Sequence, residues 1–229
     1  MNIEKLIPLL LEEQRRFIAT SGGVQTTPIQ IKRPSWMDMI TNYPDTSVDA
    51  ITLYTDIGNG LLKMYQNNSN AWENTCAFRM SKGLNYSGFK LPYDNSKYRT
   101  KGSSGGVHKG DDKLNYWYRV KELGKYLEEH LGSPEFDETL KKVGLGEKKV
   151  GLSKENWDRL NKMKGIIMFK VSGWGNASGH FTLWDGSHLI YPGDPLHDNP
   201  NSQYYYFHMK YEQNSKVIQT DEIKLWELK

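Results

Sequence analysis

Short apolar runs of strand character crowd into the last third of the chain, after a long stretch that reads as helices and loops. "GIIMFKVSGWG" (165–175) is an apolar run closed by a Gly-rich turn. "GHFTLWDG" (179–186) alternates His180, Thr182 and Trp184 with Phe181 and Leu183. "SHLIYPG", "QYYYFHM" and "IKLWELK" are further β-rich runs. Upstream, residues 1–20 read as a helix. "SWMDMITNYP" reads as a short helix capped by Ser35 and stopped by Pro44, and residues 49–75 as a mixed stretch ending in a polar loop. Positions 76, 77, 80 and 84 follow helical spacing, so a helix of nine or ten residues begins near Cys76, with Thr75 or Asn74 as its cap. Residues 92–113 are loop-like, "WYRVKELGKYLEEHLG" is helical up to Gly132 and Pro134, and 137–163 reads as a polar helix with insertions. Helices first and antiparallel strands afterwards predict an α+β fold, not an alternating α/β one.

The 229 residues are enough for a sizeable core, and 7 Trp, 14 Tyr and 7 Phe argue for a folded protein. Thirty Lys and Arg against 27 Asp and Glu leave a net charge of +3, interspersed in sign. Without a dense basic cluster interleaved with aromatics, nucleic-acid binding is not the expectation. The N-terminal apolar run Leu6–Leu11 carries Pro8 and is followed by "EEQRR"; it fails as a secretory signal and is too short to span a bilayer. No Walker, Rossmann or zinc-ligand spacing occurs, so neither a cofactor nor a metal is predicted.

Cys76 is the only cysteine and cannot form an internal disulfide. A thiol attacks as thiolate, and a helix N-terminus or a neighbouring imidazolium favours that form. Of six histidines, His180 begins a strand directly after the "GWGNASG" turn. A Cys at a helix start followed by a strand-borne His is the chain order of papain-like hydrolases. The residues alone leave Cys76 either a small core residue or a nucleophile.

Two blocks carry a resemblance to a known family. "CAFRMSKGLNYSG" resembles the catalytic-helix block of type VI secretion amidase effectors of the Tae4 type, with Cys76 at the nucleophile position. "KGIIMFKVSGWGNASGHFTLWDGS" resembles the block that carries the histidine, His180 here. "RPSW" at 33–36 and "YRVKELGKYLEEHLGSPEF" are similar to further family segments. The resemblance runs from about Arg33 to the C-terminus, giving an extension at 1–32 and one amidase domain at 33–229.

It implies an NlpC/P60-like, papain-related α+β fold and cysteine amidase activity on the D-glutamate–meso-diaminopimelate bond of peptidoglycan stem peptides. It further implies export without a signal peptide through the type VI machinery, action in a rival's periplasm, and a cognate immunity protein that plugs the cleft. The family's third catalytic residue is an Asp after the histidine strand. Asp194 is the choice here, with Asp198 and Asp185 as alternatives. Arg79, Trp174 and Trp184 are the expected substrate contacts. The family's disulfide in that loop has no counterpart, so "IYPGDPLHDNPNS" must be held by other contacts. A papain-like hydrolase or acyltransferase with another substrate, and a non-catalytic wall- or glycan-binding module, are the competing readings.

Overall fold

The computed structural model describes residues 33–101 and 105–229. Before residue 33 it describes only two short backbone pairings, Arg16–Phe17 with Ile29–Gln30 and Thr20–Ser21 with Val24–Gln25. Apart from those extended residues, the helix expected over 1–20 lies outside the described residues.

α1 (Trp36–Asn42) starts where the Ser35 hydroxyl oxygen accepts the Asp38 N–H at 3.0 Å, and it ends at Tyr43, before Pro44. Three short helices follow: α2 (Ala50–Ile57), α3 (Leu61–Asn67) and α4 (Ser69–Trp72). The polar loop expected here is thus largely helical, because its Asp and Asn residues act as caps. Asp49 accepts the Thr52 N–H, and Asn68 accepts that of Ala71.

α5 (Cys76–Tyr86) is the central helix. Only Lys82 and Tyr86 of its residues escape burial, although its sequence includes Arg79, Ser81 and Asn85. Burying those side chains is tolerable because each is satisfied. The Ser81 hydroxyl donates to the Trp117 carbonyl at 2.8 Å and accepts the Trp117 N–H at 3.0 Å. Asn85 donates to the Asn115 carbonyl and accepts the Leu91 N–H. Gly88, at φ +86°, closes the helix in a Schellman turn, with the Phe89 N–H donating to the Leu84 carbonyl at 2.9 Å.

A small hairpin, β1 (Val107–Lys109) with β2 (Asn115–Trp117), interrupts the loop expected over 92–113. α6 (Val120–His130) ends at Leu131, ahead of Gly132 at φ +78°, as its sequence predicts. The helix expected over 137–163 is instead β3 (Phe136–Thr139), an irregular stretch through Gly144, Gly146 and Gly151, and then α7 (Lys154–Leu160) capped by Ser153. Three glycines within eight positions disfavour a helix there.

β4 (Gly165–Ser172), β5 (Gly179–Trp184), β6 (Lys210–Gln213) and β7 (Lys216–Glu227) complete a five-stranded antiparallel sheet. β7 pairs along one side with β4, and along the other with β6 at its start and β3 at its end; β5 is the edge beyond β4. The period-2 pattern sorts the two faces. Ile166, Met168, Phe181 and Leu183 pack with α5 and α6, while Ile167, Phe169, Val171 and Trp184 pack with Leu160 and Tyr205–Phe207. The run "QYYYFHM" is therefore not a strand. Tyr205, Tyr206 and Phe207 are all buried in one cluster, which an extended chain, alternating its side chains, would not achieve. The architecture is α+β, with helices covering an antiparallel sheet.

Candidate active site

Cys76 opens α5, and Thr75 stands in the cap position without capping. Its hydroxyl is engaged elsewhere, accepting the Arg79 Nε–H at 2.8 Å and lying 2.9 Å from the Tyr191 hydroxyl. The first turn of α5 thus has no side-chain acceptor for its free N–H groups, and the positive end of the helix stays open beside the sulfur. Burial pushes the Cys76 thiol up, while hydrogen bonding from the backbone of Phe181 and Ala77 opposes it. Phe181 can turn to the sulfur because it lies opposite Met168 between the bonded pairs of an edge strand. Its carbonyl on the same side receives the Tyr43 hydroxyl at 3.4 Å.

His180 is the second residue of β5, directly after Gly179. A Cβ on Gly179 would stand 2.1 Å from the Phe169 carbonyl oxygen, so only glycine lets β5 approach β4 at this point. The imidazole lies between two tyrosine rings, Tyr206 at 4.8 Å and Tyr191 at 5.8 Å. Its Nε2 is 2.7 Å from the Tyr191 carbonyl oxygen. A carbonyl only accepts, so Nε2 carries the proton and Nδ1 holds the lone pair. Burial, reinforced by His197 and Arg79, pushes the imidazole down to about 3 against the Tyr191 hydrogen bond. Burial thus disfavours the charged form of both groups.

Cys76 and His180 line one cleft of about 610 Å³, together with Glu73, Trp174, Asn176, Asp194, His197 and Tyr206. Asn74, Cys76 and Asn176 also border an adjoining hollow of about 530 Å³, whose wall includes Arg119 and Lys121. The sulfur thus sits where the two hollows meet.

The other expected residues divide. Asp194 reaches the cleft, but its carboxylate accepts the Leu196 N–H at 2.8 Å and caps a short 3₁₀ turn. Asp185 holds the Ser187 and His188 N–H groups, and Asp198 accepts that of Leu189. Trp174 lines the cleft with its indole N–H donated to the Tyr211 hydroxyl at 2.8 Å. Trp184 is 1% exposed and donates to the Leu160 carbonyl, away from the cleft. Arg79, 2% exposed, is likewise internal: Nη1 donates to the carbonyls of Pro44 and Asp45, and Nη2 to that of Val48.

Sequence reasoning missed Tyr191, Tyr206 and His197. Tyr191 offers His180 a main-chain atom, which no residue type advertises, and Tyr206 lay in a run read as strand. The loop after β5 is held without a disulfide. Ile190 N–H donates to the Leu183 carbonyl, Tyr191 N–H to the Thr182 hydroxyl oxygen, and Tyr206 N–H to the His197 carbonyl. Among the described residues there is no group of three or more side chains suited to hold a metal, and no helix long and apolar enough to cross a membrane.

Comparison with curated proteins finds no match. Among solved structures, the effector Tae4 bound to the immunity protein Tai4, from Enterobacter cloacae, is 23% identical with a TM-score of 0.61, over 86% of this chain and 100% of that one. Tae4 from Enterobacter cloacae alone is 22% identical at 0.59, over 88% and 100%. The Tae4/Tai4 system of Salmonella typhimurium is 24% identical at 0.55, over 86% and 100%. At these identities the likeness concerns the fold. The family model for the type VI secretion system amidase effector protein 4 matches residues 72–226, a span that holds both Cys76 and His180. The chain belongs to the Tae4 family of type VI secretion system amidase effectors.

Proposed function

We propose that the chain is a peptidoglycan amidase of NlpC/P60-like, papain-related fold, cleaving the γ-D-glutamyl–meso-diaminopimelate bond with Cys76 as nucleophile and His180 as base. The observation that carries this reading is the shared cleft: the one thiol, at an uncapped helix start, and an imidazole whose tautomer leaves Nδ1 free. Cys76 passes its proton to His180 as the sulfur attacks the γ-glutamyl carbonyl carbon. The open N–H groups of the α5 first turn receive the developing oxyanion. His180 then protonates the leaving amine, the C–N bond breaks, and water, deprotonated by His180, releases the glutamyl acid from the thioester.

The adjoining hollows leave room for substrate on both sides of the sulfur, as a stem peptide extending from the scissile bond requires. Family membership supports delivery to a target cell by the type VI machinery, and the reading places its action in that cell's periplasm. A cognate immunity protein in the producer is supported by the effector–immunity complexes among the structural relatives. Digestion of purified sacculi, with released fragments identified by mass, tests the reading. New D-glutamate and diaminopimelate termini are expected from the native chain and not from Cys76→Ala. Absence of those termini, or full antibacterial effect retained by Cys76→Ala, would overturn it in favour of another substrate or a non-catalytic wall binder.

A further inference from the structure

The hydrogen-bond partner of the His180 Nε2–H is a main-chain carbonyl and not a carboxylate. His180 Nε2–H donates to the main-chain carbonyl of Tyr191 at 2.7 Å, while the Asp194 carboxylate accepts the Leu196 N–H through Oδ1. Tyr191 is itself held by groups from both halves of the site. Its N–H donates to the Thr182 hydroxyl oxygen at 2.8 Å, and Thr182 lies two residues beyond His180 on β5. Its hydroxyl is 2.9 Å from that of Thr75, the residue directly before Cys76. Its ring lies under the Arg79 guanidinium, with Cζ 3.8 Å from the ring centroid, and Arg79 Nε–H returns to Thr75. One residue therefore bridges the start of the nucleophile's helix and the strand that carries the base.

We propose that Tyr191 is the positioning residue of this catalytic pair: its carbonyl fixes the His180 tautomer, and its side chain sets the β5 loop against the start of α5. This rests on the cysteine amidase reading given above.

The chemistry of a carbonyl differs from that of a carboxylate in this role. Like a triad carboxylate, the carbonyl accepts the Nε2–H hydrogen bond throughout and never takes the proton; unlike one, it carries no charge. Nδ1 alone exchanges protons: it receives one from the Cys76 thiol, delivers it to the leaving amine, and takes another from the attacking water, which returns to sulfur when the thioester breaks. A neutral carbonyl gives the imidazolium less support than a carboxylate would.

Two measurements on the full chain test the proposal. The first is ¹⁵N NMR of His180 in histidine-labelled Cys76→Ala. The Nε2–H tautomer is expected there and after further Asp194→Asn substitution, whereas Thr182→Val, which frees the Tyr191 N–H, yields a mixture. The second is steady-state cleavage of a soluble stem peptide. Tyr191→Phe keeps the ring and loses only the link to Thr75; it is expected to lower kcat about tenfold with KM unchanged. Asp194→Asn is expected to lower kcat by well under the factor of about a hundred or more that loss of an orienting carboxylate brings. An Nδ1–H tautomer overturns the proposal, as does a fall of about a hundredfold or more in kcat for Asp194→Asn. Native protein that cleaves no stem peptide would refute the amidase reading instead, and the tautomer measurement would still decide the role of Tyr191.

Discussion

Arg79 lies on α5 one turn after Thr75, and a cation there invites assignment to a substrate carboxylate. Its surroundings argue for a different task. Four hydrogen bonds at 2.7–3.2 Å reach the Thr75 hydroxyl and the carbonyls of Pro44, Asp45 and Val48. The guanidinium thereby binds the α1–α2 connection to α5, with main-chain dipoles and the Tyr191 ring replacing water around its charge. Arg79→Lys keeps the charge but loses the planar fork and retains one or two of these acceptors. Two to three lost hydrogen bonds, each worth about 1–1.5 kcal/mol, predict a destabilisation of about 2–4 kcal/mol. For a domain of this size that corresponds to a fall in Tm of roughly 5–15 °C. Thermal unfolding followed by circular dichroism measures the shift, and stem-peptide kinetics measure KM on the same preparations below the transition. A large fall in Tm with KM unchanged is expected. A Tm within about 2 °C of native together with a KM raised about tenfold would refute the argument and return Arg79 to the substrate.

Three further outcomes are expected. The His180 imidazole is held down to about 3 by burial, so the unfolded chain takes a proton near its ordinary pKa and the folded chain does not. Stability therefore falls as pH drops from about 6.5 towards about 3, by up to roughly 1.4 kcal/mol per unit. In urea titrations across that range His180→Gln loses this part of the slope, while the depressed His197 keeps its own share. Ser81→Ala strands the buried Trp117 N–H and carbonyl and should lower the unfolding free energy by about 2–4 kcal/mol, read from the urea midpoint. Gly179→Ala drives a methyl into the Phe169 carbonyl; faster hydrogen exchange of the β5 amides and loss of sacculus cleavage are expected with Cys76 and His180 both intact.

The sequence was most readable where one residue type has one local consequence. Helical spacing from Cys76, the stop at Pro44 and the alternation through His180–Trp184 each predicted the element found. It was least readable where main-chain atoms do the work. The Tyr191 carbonyl that meets His180 and the carbonyls that receive Arg79 belong to positions whose side chains say nothing of this. Thr75 shows the limit of a local rule: a good capping residue by type, it is drawn off by Tyr191 and Arg79, and α5 opens uncapped as a result. The tyrosine run misled for a related reason, since consecutive aromatic residues fit a strand by propensity and a compact turn by burial.

The order of the sheet has a consequence for how the protein comes into being. β7, which follows the other strands in the chain, is the only one among the described residues flanked by three partners, β4, β6 and β3. A nascent chain that has reached residue 215 already holds the thiol, the imidazole and the loop between them. It lacks the strand that joins the β4–β5 hairpin to the rest of the sheet. The Trp36 N–H likewise waits for the carbonyl of Lys229. Such distant pairings fold slowly. A ribosome partway through this message therefore carries Cys76, His180 and the loop after β5 without the strand that joins the hairpin to the rest of the sheet.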